Sequence, residues 1–114
     1  MLRKAVALNP RYVPARLRLA HLMRESGQLH EAIALFQEAA KSNPRSASIQ
    51  NAFGAVLEAS GNIPLALESY RKAVRWEPRS ATYHFNLARL LAQTGNVPAA
   101  IEHYEKAVHL KEAF

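Results

Sequence analysis

SASIQNAFGAVLEASGNIPLALESYRKAVRWEP, residues Ser46 to Pro78, decides the fold, because the chain repeats this pattern on both sides of it. Pro10, Pro44 and Pro78 are 34 residues apart, and Gly27, Gly61 and Gly95 keep the same step. So do Ala32, Ala66 and Ala100, then Phe36, Tyr70 and Tyr104, then Ala39, Ala73 and Ala107. A fixed period of this size means stacked supersecondary units that bury their apolar faces against one another.

Within the period the apolar residues have helical spacing. Phe53, Gly54, Val56 and Leu57 form one stripe, opened by Ser46 as a natural N-cap. Gly61 supplies the left-handed turn, Asn62 caps the next helix, and Pro64 sits in its first turn, where no N–H is needed. Leu65, Ala66, Leu67, Tyr70, Ala73 and Val74 are then expected to face inward. The first complete unit carries Leu17, Ala20, Leu22 and Met23 before Gly27, then Ala32, Ile33, Phe36, Ala39 and Ala40. Small residues such as Gly54 and Ala66 let helices approach, and Phe36, Tyr70 and Tyr104 fill the space beside them. Short Gly-centred links force antiparallel neighbours. The expected fold is all-α, an α-solenoid of antiparallel helix pairs.

The expected division is a second-helix remnant at residues 1–12, then units at 13–46, 47–80 and 81–114. LRKAVALNP at the start overlays YRKAVRWEP, residues 70–78, two periods later, so the chain opens mid-unit and reads as a piece of a longer array. Its last unit ends without a polar cap, so Ile101, Val108 and Leu110 are expected to be partly open.

The chain has 114 residues, 49% hydrophobic and 21% charged, which suits a folded domain rather than a disordered one. With no cysteine there are no disulfides or thiolate metal sites. The start lacks the apolar core of a secretory signal and no run approaches a membrane span, so the expected location is cytoplasmic unless a targeting segment lies outside this sequence. The formal net charge of +6, with Glu as the sole acidic residue type, favours anionic partners.

These residues resemble the tetratricopeptide repeat family. Its pattern reads here as Leu19-Ala20, Met23, Ala32, Phe36, Ala39 and Pro44, then Phe53-Gly54, Leu57, Ala66, Tyr70, Ala73 and Pro78. It continues as Leu87-Ala88, Leu91, Ala100, Tyr104 and Ala107. The family's frequent early Trp is replaced by Arg16, Gln50 and His84, and Glu112 stands where proline is expected. The resemblance implies a right-handed superhelix whose first helices line a concave groove that holds a peptide or helix. It places Arg18, His21, Arg24, Asn51, Phe85, Asn86 and Arg89 in that groove, with Ser48, Glu58 and Thr82 nearby. The family's carboxylate clamp would need Lys, Asn and Arg where this chain has Leu17, His21, Ala52, Thr82 and Asn86, so that chemistry is missing. The asparagine ladder of glycosyltransferase arrays fails as well, since its places hold Arg18, Ala52 and Asn86.

The groove set fits a non-catalytic scaffold for a protein or peptide segment. Arginine forks pair carboxylates and so favour an acidic one, and Asn51 and Asn86 suit a bound backbone. The plain alternative is a solvated first-helix face with no ligand. A second class of function is self-assembly into homo-oligomers through uncapped ends. A third, weaker one is nucleic-acid binding along Arg11, Arg45 and Arg79, with Lys41 and Arg75 beside them. Cations near helix C-termini also simply complement the macrodipole, and no stacking aromatics interleave with the row. His21, His30, His84, His103 and His109 form no metal-ligand spacing, and no nucleophile–base set or phosphate loop is present, so neither a cofactor nor catalysis is expected.

Overall fold

The computed structural model describes residues 18, 19, 22 and 27–112, the last by its backbone alone. The remnant at 1–12 and the sequence-predicted groove residues His21 and Arg24 lie outside the described residues. Five helices follow one another: α1 Leu29–Ser42, α2 Ala47–Ala59, α3 Ile63–Trp76, α4 Ala81–Gln93 and α5 Val97–Glu112. No strand occurs among the described residues. Each helix packs on the next, α2 against α3 and α4 against α5 most extensively, with α1 on α2 and α3 on α4 joining the pairs.

The boundaries have local causes. Ser46 Oγ accepts the Ile49 N–H at 3.3 Å to start α2, and Ser80 Oγ accepts the Tyr83 N–H at 3.2 Å to start α4. Asn62 Oδ1 accepts the Leu65 N–H at 3.4 Å at the start of α3. Helix α2 ends as expected: Gly61, at φ +87°, lets the Asn62 N–H reach the Leu57 carbonyl at 2.9 Å and its own N–H reach Glu58 at 3.0 Å. Gly95 closes α4 in the same way onto Leu91 and Ala92. This double bond to the last turn satisfies carbonyls the helix leaves open and reverses the chain.

The core follows the small–large pattern. Leu19, Ala32, Phe36, Ala52 and Val56 form one buried cluster. Leu57, Ala66, Tyr70, Leu87, Leu90, Leu91 and Ala100 form a second, and Ile33 and Phe53 pack against both, so the core runs continuously along the array. One expectation fails: Leu65, expected inward, is 47% exposed. In α3 the buried stripe is Ala66, Ser69, Tyr70 and Ala73, and position 65 is turned about 100° from Ala66 by the helical pitch. An apolar side chain there is outside the stripe whatever its chemistry.

The tightest approach is at Gly54. A Cβ built there would lie 2.8 Å from both Cδ1 and Cε1 of Tyr70, a ring that is 2% exposed. Glycine in a helix interior ordinarily costs about 0.5–1 kcal/mol relative to alanine. Here the sign reverses, because the ring has no free space to retreat into. Gly54→Ala is expected to destabilise the fold by about 1–3 kcal/mol, read as a lower denaturant midpoint; a midpoint unchanged or raised would contradict this packing.

Candidate functional site

The first helices α2 and α4 bring together residues that are far apart in sequence. Asn86 Nδ2 donates to Asn51 Oδ1 at 3.0 Å, an amide pair that bridges α4 to α2. One turn further along, Arg89 grips Glu58 with both ends of its guanidinium. Nη1 donates to Oε2 at 2.6 Å and Nη2 to Oε1 at 2.7 Å. Tyr70, from α3, donates its hydroxyl to the same Oε1 at 3.0 Å. The Glu58 and Arg89 side chains are 20% and 34% exposed, so the pair is only partly screened by water.

The electrostatics follow from this geometry. The Arg89 hydrogen bonds hold the Glu58 carboxyl below its ordinary range, against a smaller opposing effect of burial. The Glu58 carboxylate holds Arg89 still more firmly in its cationic form. Burial, followed by the adjacent carboxylate, pushes the Tyr70 phenol well above its ordinary range, so it remains a neutral donor. Arg89 was expected to grip an acidic ligand. Its fork is instead committed to Glu58, and at this end the face presents a neutralised pair with two amides.

The remaining sequence-predicted residues scatter. Arg18 is exposed, and His21 and Arg24 fall outside the described residues. Phe85, 49% exposed, lies on the side of α4 that meets α5, edge-on to Tyr104 with ring centroids 5.7 Å apart. With Ala81, Thr82, Ala107, Val108 and Lys111 it lines a cavity of about 490 Å³. The repeat explains why it is bare. Phe85 stands 34 residues after Asn51, which in its own unit meets the following first helix through Asn86. No following helix covers Phe85 among the described residues.

One pair escaped sequence reading. His84, 3% exposed, places Nδ1 3.0 Å from Nδ1 of His103, with the two rings stacked at 25°. His84 Nε2 lies 2.7 Å from the Pro78 carbonyl, which can only accept, so Nε2 carries the proton. With that proton on Nε2, the His84 Nδ1 can accept an Nδ1–H from His103. The partners are 19 residues apart on different helices, a separation that motif spacing cannot reveal. Among the described residues no group of three or more His, Cys, Asp or Glu side chains is arranged to hold a metal ion.

On the basic edge, Arg45 lies over the Trp76 ring at 5.2 Å from its centroid. An aromatic thus stands beside the row after all, but that ring face is covered by a guanidinium rather than open to a base.

Acid should loosen this architecture in two windows. Burial, then the neighbouring His84 imidazole and the cations Lys106 and Arg71, hold His103 below its ordinary value of 6.5, with Glu102 opposing. A depressed histidine favours the neutral folded state, so its contribution is complete above pH 6.5 and is lost as pH falls through its folded value. Glu58 acts in the same sense lower down, its contribution present above 4.5 and lost below it. The melting temperature is expected to fall between pH 7 and pH 5.5, and His103→Asn to flatten that slope while leaving the loss below pH 4.5 in place; an unflattened slope would remove His103 as its cause.

The tetratricopeptide repeat family model matches residues 51–113, and a second one of the same description matches residues 1–55. No curated protein matches the chain. Among solved structures, a double mutant of MamA RS-1 superposes with a TM-score of 0.90 at 20% identity, covering 98% of this chain and 63% of that one. MamA 41-end from Desulfovibrio magneticus RS-1 gives 0.89 at 20% identity, covering 98% and 63%. MamA AMB-1 gives 0.83 at 24% identity, covering 99% and 62%. This chain therefore spans less than two thirds of each of those structures, and at such identity the likeness is one of fold. The 34-residue period, the glycine-closed helix pairs and a family match over more than half of its length establish that the chain belongs to the tetratricopeptide repeat family.

Proposed function

We propose that the array is a non-catalytic scaffold holding a peptide or protein segment against the face made by its first helices. The observation that carries this reading is the Asn86–Asn51 amide pair, part-buried and shared between α2 and α4. Each amide retains further donor and acceptor capacity beyond the bond they share, which suits the N–H and C=O groups of a bound backbone. The neutralised Glu58–Arg89 pair beside it favours a segment of low charge at this point. Acidic residues of the segment are then directed toward the exposed Arg18. Peptides selected from a displayed random library by the immobilised chain are expected to lose about tenfold in affinity, roughly 1.4 kcal/mol, when Asn51 and Asn86 are both changed to Ala with helicity kept. Equal binding by parent and double variant would overturn the reading.

A second reading has its own observation. The cavity at Phe85 and Val108 lies where the repeat would place a following first helix, and Ile101 and Val108 beside it are 52% and 57% exposed. A second copy of the chain offers first helices of the right kind to cover it. Light scattering across a concentration series is expected to show a rising mass that Val108→Glu returns to the monomer; monomer mass at every concentration would dispose of assembly through this face.

A further inference from the structure

The 34-residue step pairs Gln50 with His84 and Ser69 with His103. In the later unit the two side chains satisfy one another at 3.0 Å. In the earlier unit they do not. Gln50 is 6% exposed and Ser69 5%, and neither side chain makes a hydrogen bond among the described residues. Serine is too short to bridge the gap that an imidazole closes one unit later. A buried amide and hydroxyl without partners are costly unless something else reaches them.

Both face an opening that provides for this. A crevice of about 340 Å³ lies between α1 and α3, with α2 as its floor. Gln50 and Ser69 are the buried polar groups of its lining, Gln37, Lys41, Glu68 and Lys72 stand around them, and Phe53 and Leu57 supply an apolar part. Leu65, whose exposure departs from the inward stripe, stands at the same crevice. Lys41 lines it from α1 without an ion-pair partner among the described residues, whereas Lys72 opposite is bridged to Glu68 at 3.4 Å. The volume is roughly ten times the share of one water in the liquid, about 30 Å³, and water gains little against Phe53, Leu57 and Leu65.

We propose that this crevice is a second binding site, distinct from the first-helix face, for an extended peptide segment carrying a leucine-like side chain next to an acidic one. The peptide group offers N–H and C=O together, the complement of the Gln50 amide, while Ser69 can give or take one more bond. The apolar side chain covers Phe53, Leu57 and Leu65, and the carboxylate answers Lys41. A free amide, an apolar floor and an unpaired cation in one crevice match that combination and no single one of its parts.

The test titrates the isotope-labelled chain with the capped pentapeptide acetyl-Ala-Glu-Leu-Glu-Ala-amide and follows the Gln50 side-chain amide and the Ser69 backbone amide by NMR. Saturable shifts at both are expected. Ser69→His, which fills the crevice and gives Gln50 a partner as in the next unit, should weaken binding about tenfold or more. Lys41→Glu, an exposed change that leaves the core alone, should weaken it by a similar factor and serves if the first variant does not fold. Asn51→Ala with Asn86→Ala should leave this binding unchanged, which separates it from the first-helix site. Absence of saturable shifts at Gln50 and Ser69, shifts confined to Asn51 and Asn86, or binding by Ser69→His and Lys41→Glu as tight as that of the parent chain would each overturn the proposal, leaving a crevice that holds solvent alone.

Discussion

The Tyr70 ring lying on Gly54 is the constraint on which the rest of this array depends. A ring can occupy that place only where the facing helix carries no Cβ. Once there, its hydroxyl reaches the Glu58 carboxylate, and that carboxylate is then oriented to receive both ends of the Arg89 fork from the next unit. A single close approach within one helix pair therefore sets the partner of the following pair. In the third unit Ala88 stands where Gly54 does, and Tyr104 is half-buried and turned edge-on to Phe85.

Repetition fixes the backbone and leaves the chemistry free. Gln50 and His84 occupy equivalent places, as do Ser69 and His103, yet one pair is closed and the other open. Asn51 meets a neighbouring helix, and Phe85 in the same register meets none among the described residues. A fold of this kind specifies where side chains stand, and its working surfaces come from what individual positions carry. In a quasi-one-dimensional array each such difference is local, because a unit contacts only its neighbours.

The net charge of +6 does not say which cations are free to meet a ligand. Arg89 is neutralised by Glu58, Lys72 is paired with Glu68 and Lys106 with Glu102, and Arg45 is laid over Trp76. The exposed i,i+4 pairs contribute little to stability. They do remove cations from the pool that composition alone assigns to ligand binding. Electrostatic attraction is therefore a weaker guide here than the placement of unpaired polar groups.

The sequence by itself determined the architecture. The glycine step, the capping serines and Asn62, and the alternation of Ala with Phe or Tyr are local signals of turn, start and packing, and each appears in the structure where its residue type requires. Leu65 shows the limit of such reading, since its apolar side chain suggested burial and only the phase of the α3 stripe turned it outward. The candidate surfaces were legible as residue types but not as partners. That Arg89 is held by Glu58, that Asn86 reaches Asn51, and that His84 meets His103 while Gln50 and Ser69 miss each other depend on distances across 12 or more residues of chain. Those distances come from how closely neighbouring helices approach, which is set by packing volumes in three dimensions, and no one-dimensional spacing encodes them.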